Sequence, residues 1–172
     1  MLPLNWIYLS SGRCLFLTIF LSVVLSHNLL QAHTYIWPLP DGFNDSDMVT
    51  IKGSLPIGGY GFGIYFAAGS DISNSDIIFH MAYRYAIDTV IFNTRNGSVN
   101  WMTEETYKEA GAVVAGRHFT TIIVLKCNQF MVATNGRHFV AFNVRKPTSY
   151  IKHVIIDADV TLSSMAFESY LT

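Results

Sequence analysis

The sequence predicts an all-β domain, a sandwich or barrel of about nine short strands. Two observations carry this reading. From Trp37 onward the chain falls into short apolar or alternating runs separated by Gly, Asn, Asp, Ser or Pro. Nothing after residue 32 sustains the 3.6-residue apolar period of an amphipathic helix. With 172 residues, 51% of them apolar, the chain is long enough for one well-buried domain and too short for two comfortable ones.

The runs near 48–52 and 60–67 open the domain. The glycines of Gly58-Gly-Tyr-Gly-Phe-Gly63 are read as turn and strand-edge positions, because they lack the strand-then-helix setting of a dinucleotide site. In the run 76–85, alternation places His80, Ala82 and Arg84 on one face and Phe79, Met81, Tyr83 and Tyr85 on the other. One face is polar and reachable, and the other is core. The next run is 87–93; Asn93 either shares the polar face or begins a turn through Gly97. Residues 104–115 are read as a strand end plus connection, since Gly111 and Gly116 bracket a helix poorly.

Runs at 119–127, 129–134 and 138–143 follow. Asn135-Gly136 marks a hairpin between the last two, because both residues tolerate positive φ, and Lys126–Gln129 is a weaker turn signal before it. Gly116-Arg-His-Phe119 recurs as Gly136-Arg-His-Phe139; two copies of four residues are turns feeding strands, not a stacked repeat. Runs at 151–157 and 160–168 complete the set, with Asp157 and Asp159 serving a turn or sheet edge. The Phe and Tyr residues at 60–66, 79–85 and 139–142 are assigned to the core.

Residues 1–32 read differently. Arg13 precedes twelve uncharged residues, Cys14 to Leu25, with small residues following at a cleavable position. The run is short of the ~20 apolar residues of a spanning helix, and His27, Asn28 and Gln31 interrupt its extension. This predicts a signal peptide plus short linker over 1–32, a domain over 33–172, and a secreted or extracellular protein. A retained membrane anchor is the alternative, and a misassigned start upstream of a cytosolic domain is a third. Loss of the leader removes Cys14 and leaves Cys127 alone, so no intrachain disulfide staples the domain. Asn44-Asp-Ser46 and Asn96-Gly-Ser98 match the glycosylation acceptor pattern, which matters only on secretion.

Eleven basic and twelve acidic residues, well mixed, give no electrostatic footprint for nucleic acid or an anionic membrane surface. The ligand class this favours is neutral. The six histidines form no metal-ligand cluster, and neither a nucleophile elbow nor a phosphate-cradling loop is present in the sequence. Glycoside hydrolysis needs two carboxyls about 5–10 Å apart across the scissile bond. Glu104 and Glu105 are adjacent, so on a strand they point to opposite faces. The sequence is read as non-enzymatic and without cofactor.

A family resemblance rests on residues in order over about 130 positions. They are Leu39-Pro-Asp-Gly42, Val49-Thr-Ile-Lys-Gly53, Phe62-Gly-Ile-Tyr-Phe66, His80-x-x-x-Arg84, Val90-x-x-Asn93 and Trp101-x-x-Glu104. Phe130-x-Val132-x-x-Asn135-Gly136-x-His138, Phe142-x-x-Arg145-x-Pro147 and Ile155-x-x-x-Asp159-Val160 continue the order. The chain resembles a galectin carbohydrate-recognition domain. The resemblance implies a two-sheet antiparallel jelly-roll sandwich that binds β-galactoside glycans or glycoproteins on its concave sheet.

It also implies a site of His80, Arg84, Asn93, Trp101 and Glu104. Sugars offer hydroxyls that suit directional partners and a C–H face that suits a flat apolar surface. Trp101 supplies that surface, His80 and Arg84 meet the axial hydroxyl, and Asn93 with Glu104 holds the hydroxymethyl oxygen. Arg84 and Glu104 are expected to pair and pre-organise the site. Four positions depart from the family pattern. Ala82 stands where galectins generally have Asn, Thr106 where they have Arg, Met102 where they have Gly, and one extra residue separates Asn93 from Trp101. Arg95 and Lys108 are the nearby cations available to replace the missing Arg. A lost hydrogen bond costs about 0.5–1.5 kcal/mol, and up to ~3 kcal/mol with a charged partner, so both losses weaken binding by roughly ten- to a thousand-fold. An interaction module of the same fold, with galactoside binding lost, is therefore the second reading. A single sugar site crosslinks surfaces only if the chain forms a homodimer or is anchored.

Overall fold

A computed structural model describes residues 33–108 and 113–169, so the leader reading lies outside the described residues. In chain order the strands are β1 His33–Pro38, β2 Met48–Ser54, β3 Gly61–Ala67, β4 Ile77–Arg84, β5 Thr89–Asn96 and β6 Asn100–Trp101. They continue as β7 Glu105–Lys108, β8 His118–Lys126, β9 Gln129–Thr134, β10 Arg137–Asn143, β11 His153–Ala158 and β12 Thr161–Glu168. All pairings are antiparallel. The larger sheet runs β1-β11-β3-β4-β5-β6, with β7 also on β5; the smaller runs β10-β9-β8-β2-β12. The two-sheet sandwich expected from the sequence is the one the chain adopts.

Period-two alternation explains why these sheets face each other. In β8, Phe119, Thr121, Ile123 and Leu125 are buried while their neighbours are half-buried or exposed. Phe79 of the larger sheet meets Phe130 of the smaller with ring centroids 4.5 Å apart, and Phe66, Phe92 and Phe142 close around them. Burying each such side chain stabilises the fold by about 1.5–3 kcal/mol. The buried Thr121 and Thr134 hydroxyls satisfy each other, bonding at 3.1 Å.

Both predicted hairpins form. Asn135 and Gly136 have φ of 51° and 76° between the paired Thr134 and Arg137, and Cys127 and Asn128 have φ of 50° and 60° between Lys126 and Gln129. Two positive values in a two-residue loop match the twist of the flanking strands. Cys127 is free and exposed.

Some expectations fail. β1 is missed because Trp37 and Ile36 lie on an edge and show no alternation, both being about half exposed. Asn93 does not begin a turn: β5 continues to Asn96 and the chain reverses at Gly97. Tyr85 leaves β4 for a 3₁₀ turn over Tyr85–Ile87 and is exposed, and Tyr60 is exposed ahead of β3. Tyr65 is half-buried on the outer face of the larger sheet, opposite the core side chains Phe62, Ile64 and Phe66. The 104–115 segment is strand over Glu105–Lys108, and Val113 is core.

Candidate functional site

The outer face of the larger sheet takes its pattern from a bulge in β4. Ile77 opposes Arg95 and His80 opposes Asn93, so Ile78 and Phe79 together face the residue between them on β5. Both turn into the core, which resets the alternation and sends His80, Ala82 and Arg84 outward. Thr94 fixes the bulge, donating its hydroxyl to the Ile78 carbonyl at 3.1 Å.

Next to β4, the outward residues Ile91, Asn93 and Arg95 of β5 are buried, because the chain from Trp101 to Glu104 folds over them. Asn93 makes that fold. Its amide donates to the Met102 carbonyl at 3.0 Å, and its oxygen accepts from the Thr94 N–H at 2.7 Å. Arg145, from the segment after β10, completes the support: it donates to the Thr103 carbonyl at 2.6 Å and pairs with Glu105 at 2.5 Å. The β5–β6 turn is held at Gly97, whose N–H bonds Asp76, and Asp76 also pairs with Lys146.

The five sequence-predicted residues come together. His80, Arg84, Asn93, Trp101 and Glu104, with Ile91 and Met102, line one cavity of about 380 Å³. Trp101 is 43% exposed, enough to present an apolar surface. A neighbouring cavity of about 340 Å³ shares His80 and Arg84 and extends over β3 to Asp157 and Asp159. A third, of about 440 Å³ around Asn44, Asn128 and 144–149, has no aromatic lining.

The internal wiring differs from expectation. Arg84 and Glu104 do not pair: Glu104 accepts from the Thr106 hydroxyl at 3.2 Å, and the Arg84 side chain stays exposed, its guanidinium without a hydrogen bond among the described residues. Arg95 is not a second sugar-facing cation. It is buried, donates to the carbonyls of Ile72 and Ser75, and lies over the Trp101 ring at 5.1 Å. Lys108 pairs by backbone with Thr89 at the far end of β5. Glu104 and Glu105 diverge as predicted, one to the cavity and one to Arg145.

His80 is flanked on both sides. The Tyr65 ring stacks on it at 4.5 Å, and the Trp101 ring lies against it at 4.8 Å. Burial, reinforced by the positive charges of Arg84 and Arg95, pushes its pKa down to about 4, so the imidazole is neutral at physiological pH. Among the described residues no group of three or more His, Cys, Asp or Glu side chains is placed to hold a metal ion. The sequence reading missed Tyr65, Arg145 and the supporting role of Arg95. Parity was the available signal for Tyr65, since it alternates with the core residues Ile64 and Phe66.

The family model for galactoside-binding lectins matches residues 34–167. This chain is a galectin. Human galectin-4 is 31% identical over 134 residues, covering 77% of this chain and 41% of its own length. Galectin-3 of Cricetulus longicaudatus is 29% identical over 136 residues, covering 77% and 53%. The chain spans about two fifths of the length of the galectin-4 relatives it matches. A double variant of human galectin-16 superimposes with a TM-score of 0.70 at 28% identity, over 79% of this chain and 95% of that one. Sheep galectin-11 in complex with glycerol, at 23% identity and a TM-score of 0.71 over 79% and 98%, shares the fold. The cavity over β4–β6 lies within the matched residues.

Proposed function

We propose that this galectin is a non-catalytic lectin that holds β-galactoside-containing glycans in the cavity over β4, β5 and β6. One observation carries the reading: His80, Arg84, Asn93, Trp101 and Glu104 line a single cavity that also presents a half-exposed indole. A pyranose C–H face stacks on Trp101, while the unengaged Arg84 guanidinium and the Glu104 carboxylate take hydroxyls. Asn93 retains one amide N–H for ligand after its bond to Met102. Only Glu104 among the cavity's lining residues is a carboxylate, and hydrolysis would need a second across the bond. Secretion through the N-terminal apolar segment, and homodimerisation for crosslinking, belong to the same proposal.

A second reading has its own support. Ala82 offers no donor, and the Thr106 hydroxyl is turned onto Glu104, so the face is poorer in sugar contacts than its framework allows. A galectin-fold protein-interaction module with lost galactoside binding fits that poverty. A glycan array probed with the full chain and its Trp101→Ala variant separates the two. Binding to galactose-terminated glycans that the variant loses supports the lectin. A folded wild type that binds no glycan points to the interaction module.

A further inference from the structure

Two triplets carry the acceptor pattern for asparagine-linked sugar, and the fold treats them differently. Asn44-Asp-Ser46 is wired into its loop. The Asn44 side-chain amide donates to the Asp41 carbonyl at 3.4 Å, Lys126 Nζ donates to the Ser46 hydroxyl at 3.2 Å, and that hydroxyl donates to Asp45 at 3.4 Å. Ser46 is half-buried with a φ of 72°. Asn96-Gly-Ser98 stands free. Asn96 is the exposed last residue of β5, Ser98 is exposed in the turn that follows, and neither side chain makes a hydrogen bond among the described residues.

Gly97 between them turns at a φ of 57°, its N–H held by Asp76 at 2.5 Å, and a Cβ there would meet nothing within 4 Å. Val99, 77% exposed, lies at the same tip. The turn is fixed at its base and open above, so a bulky solvated group attached there displaces no packing. Sugar attached to the emerging chain is thus carried through folding without a clash. Asn96 pairs with Asn100, and Arg95 with Trp101. Alternation points Asn96 to the face opposite Arg95, so its substituent leads away from the cavity that Trp101 lines.

We infer that Asn96 is an N-glycosylation site of the secreted chain, its glycan standing on the β5–β6 turn beside the cavity without filling it. The inference rests on the secretion reading above and deepens it. The donor is an oligosaccharide on a lipid diphosphate, supplied by the secretory pathway. Asn96 Nδ2 attacks the anomeric carbon, and the N–C bond forms as the C–O bond to the diphosphate breaks. The diphosphate leaves with the electron pair, and one amide proton passes to a base of the transferase. The Ser98 hydroxyl is the group that completes the acceptor pattern, and here it is unspent.

The test expresses the full chain in secreting animal cells as wild type, Asn44→Gln, Ser98→Thr and Ser98→Ala. Medium and cell fractions are separated, and the peptide spanning residue 96 is read by mass spectrometry for attached sugar, with a sample treated with an N-glycan amidase as reference. Wild type, Asn44→Gln and Ser98→Thr are expected to carry sugar that the amidase removes. Ser98→Ala, which alters an exposed side chain without partners and leaves Asn96 in place, is expected to carry none. Wild type found in the medium with a bare residue 96 overturns the site and leaves secretion standing. Sugar on chain held within the cells upholds the site and overturns secretion, and bare chain held there overturns both. Sugar that persists in Ser98→Ala overturns the assignment to Asn96.

Discussion

At the scale of single residues, His80 shows how placement changes chemistry. An exposed histidine near a ligand would titrate at its ordinary value; between Tyr65 and Trp101 it stays neutral down to about 4. The unfolded chain takes up that proton near 6.5. Stability from the neutral imidazole is therefore complete above about pH 6.5 and is lost as pH falls toward 4, on the order of 3 kcal/mol in all. Urea unfolding across that window is expected to give a steeper acid loss for wild type than for His80→Phe, which has no proton to take up. Equal slopes for the two proteins would mean the imidazole is not desolvated.

At the scale of elements, the strands were readable where one face is core. The run 119–127 alternates cleanly because only one side of β8 is dry, and Asn135-Gly136 announces its hairpin because its backbone needs positive φ. β1 was invisible because an exposed edge strand carries no burial pattern. The bulge in β4 was equally hidden, since Ile78 and Phe79 look like an ordinary apolar pair until β5 is beside them. The five residues that share the cavity were recoverable from motif order. Their wiring was not, because Arg145 reaches Glu105 from forty positions away. Gly61 is a further joint that only the pairing reveals: its φ is 142°, and a Cβ there would lie 1.9 Å from the Tyr83 carbonyl oxygen. Gly61→Ala is expected to cost at least about 2 kcal/mol and to part β3 from β4 at that end. An unchanged urea midpoint would show that the backbone shifts there freely.

At the scale of the whole molecule, one aromatic cluster binds the two sheets. Phe79 touches Phe66, Phe92, Phe130 and Phe142 and has no exposed surface. Phe79→Ala is expected to destabilise the domain by about 3–5 kcal/mol in chemical unfolding, because a rigid ring set collapses poorly into the space left. A loss below 1 kcal/mol would mean the sheets are held elsewhere. The sandwich core and the cavity over β4–β6 are thus coupled through neighbours in one strand, Phe79 inward and His80 outward.

The strand order also fixes a sequence of events in time. β8, β9 and β10 are joined by two-residue loops and can pair with little loss of chain entropy. Strand β1 must instead find β11, and β2 must find β12, across more than a hundred residues in each case. Closing loops of that length comes before any reward from the contacts they make, which places this domain among slow folders, in the millisecond-to-second range. The cavity lies in the sheet that depends on such a closure. A nascent chain therefore carries its hairpins early and completes the larger sheet only after β11 has emerged, so a protein stalled before that point presents β3 with a bare flank open to mispairing.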